Sequence, residues 1–217
     1  DSFYVLRRAR GFAPYPVMLP VSDERCIAGM GANLKATLSI SKGEHVFVSQ
    51  YLGDLDSEGA VSFYEQTYGE LTNVYGLKPD IFVTDIHPDF FSTQFAESLG
   101  ETYQVQHHAA HMYACMAENG LSGDAVGLIL DGTGLGTDAK IWGGELFVRK
   151  NGVLAREYHL PYYPLVGFDA AAKNPARMLV SYFQRAGFDE SLYRHIPIDE
   201  KERNMLKNMA ERNMNCI

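Results

Sequence analysis

Three of the chain's seven histidines fall within five residues, in Gln106-His107-His108-Ala109-Ala110-His111. In a helix, His107 and His111 lie one turn apart on a shared face, close enough to bind one metal ion, and His108 points elsewhere. Imidazole is a good ligand for zinc and iron, and two of them supply half a coordination sphere that carboxylates can complete. A pair of surface or capping histidines is the competing reading.

The second signal is Leu128-Ile129-Leu130-Asp131-Gly132-Thr133-Gly134-Leu135-Gly136-Thr137-Asp138. A buried strand ending in Asp131 and running into alternate glycines puts a carboxylate at the strand's end. It also lets backbone amides approach an anion with no Cβ in the way. That suits phosphate and metal. No lysine follows in the position a GxxxxGK[ST] loop requires, and a dinucleotide fingerprint is absent as well. A β-hairpin with a glycine-rich turn is the alternative. Asp131 comes twenty residues after His111, so one loop and one strand can return it to the same metal.

Lesser candidates surround these. Thr84-Asp85-Ile86-His87-Pro88 places an acid and an imidazole at the end of a short apolar run, where α/β proteins bind ligands; a helix N-cap by Asp85 or Asp89 is the other reading. Gly29 and Gly31 ahead of Lys35 read as a plain tight turn, with a phosphate-binding turn as the alternative. Asp169, Lys173 and Arg177 read as a solvated face, Trp142-Gly143-Gly144-Glu145 as core and turn, and Cys115 as a small residue on a buried helix face.

The 217 residues carry 19 Lys+Arg against 27 Asp+Glu, a formal net charge of -8. Such a chain is repelled by polyanions, so neither nucleic acid nor an anionic membrane is an expected partner. No apolar run reaches the ~18 residues of a spanning helix, and the first residues lack the apolar stretch of a signal peptide. Cys26, Cys115 and Cys216 are odd in number and widely spaced, which excludes a disulfide framework and a zinc ribbon. A cytoplasmic location is expected. The start at Asp1 suggests a piece of something larger.

The elements that must position these residues follow from periodicity. Residues 1–22, with Pro14, Pro16 and Pro20, read as an extended linker or edge. From Cys26 to Leu55 short apolar runs punctuated by glycine predict a strand meander, with Lys42-Gly43 at a turn. Val61, Tyr64, Tyr68, Leu71 and Tyr75 mark a helix over 57–75, ended by Gly76. A buried strand over 81–83, helices over 91–100 and 105–119, and two or three strands over 140–160 follow. Residues 170–185 and 199–214 have helical period. The order is that of two α/β lobes.

Taken together, RRARGFAPYPVMLP, GANLKATLSISKGEHVFVSQYLGDLDS, DIHPDFFSTQFAESLG, VQHHAAH, DGTGLGTDAKIWGGELF and the stretch from GFDAAAKNP to Arg177 resemble the HypF carbamoyltransferases of [NiFe]-hydrogenase maturation, across almost the whole chain. The resemblance implies an actin-like (ASKHA) ATPase fold, two lobes of mixed sheet flanked by helices, shared with TsaD-type enzymes and O-carbamoyltransferases. Residues 1–22 would lead from a preceding YrdC-like domain, 23–122 form the first lobe with the His-bearing helix, and 123–217 begin an incomplete second lobe. By the same resemblance His107, His111 and Asp131 are the catalytic metal ligands. Gly132, Thr133, Gly134 and Gly136 bind the nucleotide. Ala109 stands where a third histidine is common, and Ala176 where a tryptophan often precedes the arginine.

The activity so implied is transfer of a carbamoyl group from carbamoyl-adenylate, made from carbamoyl phosphate and ATP with Mg, to the C-terminal cysteine of a HypE-type acceptor, for cyanide ligand synthesis. The metal would be divalent, iron or zinc. His108 and His87 would orient or hydrogen-bond. Two rivals remain: an actin-like fragment that only binds nucleotide or a partner, and an O-carbamoyltransferase of small molecules.

Overall fold

A computed structural model describes residues 15–167, 169–212 and 214. The chain forms two compact units. One runs to Gly127 and adds Phe147–Ala155; the other comprises Leu128–Leu146 and the residues from Arg156 onward.

In the first unit β1 (Val17–Gly29) and β2 (Ser39–Val48) pair antiparallel, and β3 (Ile81–Asp85) and β4 (Thr102–Val105) extend the sheet in parallel, in the order β2-β1-β3-β4. The extended reading of residues 1–22 lies outside the described residues up to residue 14. From Val17 it becomes strand, and the β1–β2 register shifts between Met18 and Asp23, around Pro20. Proline has no N–H for the ladder, so the pairing bulges there. Lys42-Gly43 is not a turn: it sits inside β2, where Gly43 opposes Asp23 between two register shifts and takes the left-handed conformation (φ 63°) that the bulge needs. β4 was not anticipated, because it is four residues long with its two central side chains exposed and carries no buried run.

Helix α1 (Glu58–Tyr75) matches its period. Ser57 caps it by accepting from the Ala60 N–H, and Gly76 closes it in the left-handed conformation. Its inward face carries Tyr64, fully buried, whose hydroxyl donates to the Met30 carbonyl over 2.7 Å. Phe91 and Phe95 of α2 (Phe91–Leu99) meet that ring edge-on, each at 5.9 Å between centroids. Around them Ala28, Met30, Leu38, Ile40, Leu71, Phe82 and Ala96 complete one core. Helix α3 (His107–Glu118) follows β4.

A second sheet holds β5 (Ala125–Leu135), β6 (Ile141–Lys150) and β7 (Val153–His159), in that order. β5 differs from the expected buried strand that stops at Asp131. It continues through Gly132 and Gly134 to Leu135, and Val126, Leu128 and Leu130 are exposed. Side chains alternate along a strand, so Asp131 falls on the opposite face, with Ile129 and Thr133. The turn comes at Gly136, whose N–H donates to the Lys140 carbonyl, with Ala139 at φ 59°. Asn151-Gly152, at φ 51° and 82°, makes the tight turn between β6 and β7.

The helical tail is also divided. α4 (Asp169–Lys173) and α5 (Pro175–Arg185) are separate because proline disfavours helix at the residue before it; Asn174 is extended and caps α5 through the Ala176 N–H. A short α6 (Glu190–Tyr193) precedes α7 (Glu200–Glu211). Val166, Ala176, Val180, Tyr193, Ile196 and Leu206 form the core of this unit.

Trp142 is buried in the second unit, with the Arg156 guanidinium 3.7 Å from its ring centroid. Arg156 Nε donates to the buried Glu145 carboxylate, and its terminal nitrogens donate to the Tyr162 hydroxyl. Asp138 accepts from Trp142 Nε1 (2.8 Å) and from the Tyr162 hydroxyl (2.6 Å). Partial burial pushes the Asp138 carboxyl up, but the bonds from Tyr162, Trp142 and the Lys140 N–H outweigh it and hold its pKa below the ordinary value. A Cβ on Gly136 would lie 2.0 Å from Trp142 Nε1.

Three outcomes are expected. Tyr64→Phe, which takes the donor from a buried carbonyl, lowers unfolding stability by about 1–3 kcal/mol in urea titrations. Gly136→Ala displaces the indole, which changes the emission of the chain's single tryptophan. Because the folded pKa of Asp138 is depressed, its stabilising contribution is complete above the unfolded value of about 4 and is lost as pH falls from there through the folded value. An acid titration followed by Trp142 fluorescence should therefore show a step below about pH 4 that Asp138→Asn diminishes.

Candidate functional site

The parallel pairing of β3 with β4 sets Asp85 opposite Val105, at the carboxyl ends of both strands. One residue later the chain enters α3. Gln106 is extended and accepts the Ala109 N–H on its side-chain oxygen (3.0 Å), so the helix begins at His107. His107 thus emerges beside the end of β3, and its Nδ1 lies 2.7 Å from Asp85 Oδ2. Asp85 is itself buried, and its Oδ1 accepts the His87 N–H at 3.0 Å.

The three histidines divide as the helical spacing predicts. The rings of His107 and His111 are 4.9 Å apart between centroids and inclined at 79°. His107 keeps 22% of its side chain exposed and His111 is open. His108 is fully buried, with its Nδ1 3.1 Å from Gln106 Nε2. Met112 and Met116 continue the buried stripe at intervals of four, which leaves Cys115 exposed on the side of His111; the buried position expected for Cys115 is corrected accordingly.

Asp131 belongs to the second unit. Its Oδ1 accepts the adjacent Gly132 N–H at 2.7 Å. Gly132 is exposed, with open space where a side chain would project, Thr133 is partly buried and Gly134 buried, all within strand rather than turn. Gly136 has a packing reason to be glycine, the close approach of Trp142.

The lesser candidates resolve locally. Neither Asp85 nor Asp89 caps α2, whose N-cap is Phe90 without a side-chain bond. The His87 ring stacks on Phe90 at 4.2 Å and its Nδ1 accepts the Asp89 N–H. Gly29 and Gly31 face Ser39 and Thr37 so closely that a Cβ at either would collide; the tight turn expected at Gly29 is corrected, since Gly29 ends β1 paired with Ser39, and the Lys35 N–H donates to Asp54. Arg177 is paired with Glu202 at 2.9 Å rather than solvated. Among the described residues no helix is long and apolar enough to cross a membrane.

The feature that sequence reasoning missed is the pairing of Asp85 with His107. A signal for it existed, an acid ending one buried run twenty-two residues before the histidine, but it needed β4 to be recognised as a strand. The donor set of α3 fits an ion that prefers imidazole nitrogen: two rings one turn apart, one of them held by a carboxylate on its Nδ1.

Residues 22–118 match the family described as HypF Kae1-like domain, and residues 127–217 match Carbamoyltransferase, Kae1-like Domain, second subdomain. Carbamoyltransferase HypF of Synechocystis sp. is 42% identical over 179 residues, covering 81% of this chain and 23% of that protein. Probable carbamoyltransferase HypF of Methanocaldococcus jannaschii is 36% identical over 225 residues, covering 100% of this chain and 29% of that one. The crystal structure of full-length HypF in the phosphate- and nucleotide-bound form superposes with a TM-score of 0.83 at 34% identity, over 97% of this chain and 33% of that one. HypF of T. kodakarensis gives 0.82 at 30% identity, over 98% of this chain and 30% of that one. The chain therefore spans between about a quarter and a third of the length of these relatives. With both subdomain families matched in order along it and the fold retained over nearly all of it, this chain belongs to the HypF carbamoyltransferase family, as its actin-like, Kae1-like region.

Proposed function

We propose that this chain is the part of a carbamoyltransferase that passes a carbamoyl group from carbamoyl-adenylate to the C-terminal cysteine of a HypE-type acceptor protein, in the cytoplasm, for cyanide ligand synthesis in [NiFe]-hydrogenase maturation. Carbamoyl phosphate and ATP with its Mg²⁺ are substrates of the whole protein. The single observation that carries the reading is the paired imidazoles at the start of α3, His107 and His111, in a chain of this family. In this reading residues 1–22 lead in from a YrdC-like domain, 23–122 are the first lobe and 123–217 begin the second.

By likeness to the family, His107, His111 and Asp131 are read as the ligands of a divalent ion, iron or zinc. Bound there, the ion would polarise a carbamoyl or phosphate oxygen. The chain's own groups do the rest. The two imidazoles present nitrogen lone pairs and Asp131 contributes the negative charge that a divalent cation requires. Gly132, Thr133, Gly134 and Gly136 are read as the nucleotide-phosphate segment; Gly132 is the exposed one, whereas Gly134 and Gly136 are buried and the Gly136 N–H already donates to the Lys140 carbonyl. His108 and His87 hold their neighbours in place.

Elemental analysis of the purified chain should find one divalent ion per chain, and His107→Ala should remove it. In the full-length parent the same substitution should abolish carbamoyl-phosphate-dependent carbamoylation of the acceptor while the protein stays folded by circular dichroism. Full transfer activity in the His107→Ala protein would defeat the reading.

A further inference from the structure

We propose that Asp85 is a positioning residue for His107, setting which ring nitrogen carries the proton and thereby presenting Nε2 as the ligand atom. The proposal rests on the reading of His107 as a metal ligand.

Both carboxylate oxygens of Asp85 are committed, Oδ1 to the His87 N–H and Oδ2 to His107 Nδ1. An ionised carboxylate only accepts hydrogen bonds, so at 2.7 Å the proton between them belongs to Nδ1. A neutral imidazole has one ring proton, so with Nδ1 protonated the lone pair in the ring plane belongs to Nε2. Asp85 suits this task because it is buried at the end of a parallel strand that is paired on both sides, so its position is set by the sheet. His107, by contrast, is the first residue of its helix, where no preceding turn restrains the ring. The helix does not need Asp85 as a cap, since Gln106 takes that role. Carboxylate–imidazole–metal arrangements are a recurrent way of fixing tautomer and ring orientation, and losing the carboxylate typically costs about 10–100-fold in metal affinity.

Asp85→Asn tests the proposal with little change of shape. The asparagine oxygen can still accept the His87 N–H, which turns its NH₂ toward His107 Nδ1. That nitrogen must then accept, and the proton moves to Nε2. In the full chain with ¹⁵N-labelled histidine, near pH 8 where an ordinary imidazole is neutral, NMR should find the proton of wild-type His107 on Nδ1 and that of Asp85→Asn on Nε2. Competition with a chelator for Zn²⁺ should show an affinity about 10–100-fold weaker for the variant, at an unchanged melting temperature of the metal-free chain. Asp85→Ala, which removes the acceptor without supplying a donor, should leave His107 a mixture of tautomers. The proposal is overturned if wild-type His107 carries its proton on Nε2, if Asp85→Asn leaves the tautomer unchanged, or if the variant binds Zn²⁺ as tightly as wild type. A wild-type chain that takes up no Zn²⁺ yet shows the inversion supports the tautomer assignment and overturns the metal reading.

Discussion

The bond between Asp85 and His107 depends on a register, and the register on two short parallel strands. A parallel pair brings the carboxyl ends of both strands to the same edge of the sheet, so whatever follows each strand is delivered to one place. Here β3 delivers an acid and β4, through one capping residue, delivers a histidine at the first turn of a helix. A slip of one residue would turn Asp85 to the other face of the sheet and leave His107 facing a different side chain.

What keeps that register is the packing beneath it. Tyr64 anchors α1 to the chain leaving β1 through the Met30 carbonyl, and its ring is clasped by Phe91 and Phe95 of the helix that connects β3 to β4. The crossover helix is thereby held against the first helix, and the two strands it joins have little freedom to slide. Thr93 adds a direct tie, its hydroxyl donating to the carbonyl of His87 two residues beyond Asp85.

The glycines of the second unit teach a different lesson. Gly136 and Gly144 each sit where a Cβ would collide, with Trp142 and with Leu160. Their small size serves the packing of Trp142, Arg156, Glu145, Asp138 and Tyr162, a network in which the buried Glu145 is compensated by a guanidinium that also covers the indole. Gly132 has no such neighbour: the space where its Cβ would project is open.

The sequence by itself determined the elements whose signals are local. The three- and four-residue spacing of α1, its end at Gly76, and the divergence of His108 from the His107 and His111 face are all properties of neighbouring residues, and each is found. Local signals failed where pairing overrode them. Gly43 looked like a turn and is a bulge; Gly132 and Gly134 looked like a loop and continue a strand; Ala170 to Arg185 looked like one helix until Asn174-Pro175 divided it. β4 was too short and too exposed to announce itself. The partnership of Asp85 with His107 was decided only by tertiary structure, because a hydrogen bond between residues twenty-two apart exists once a sheet has chosen its register, and register is a long-range agreement that no single segment encodes.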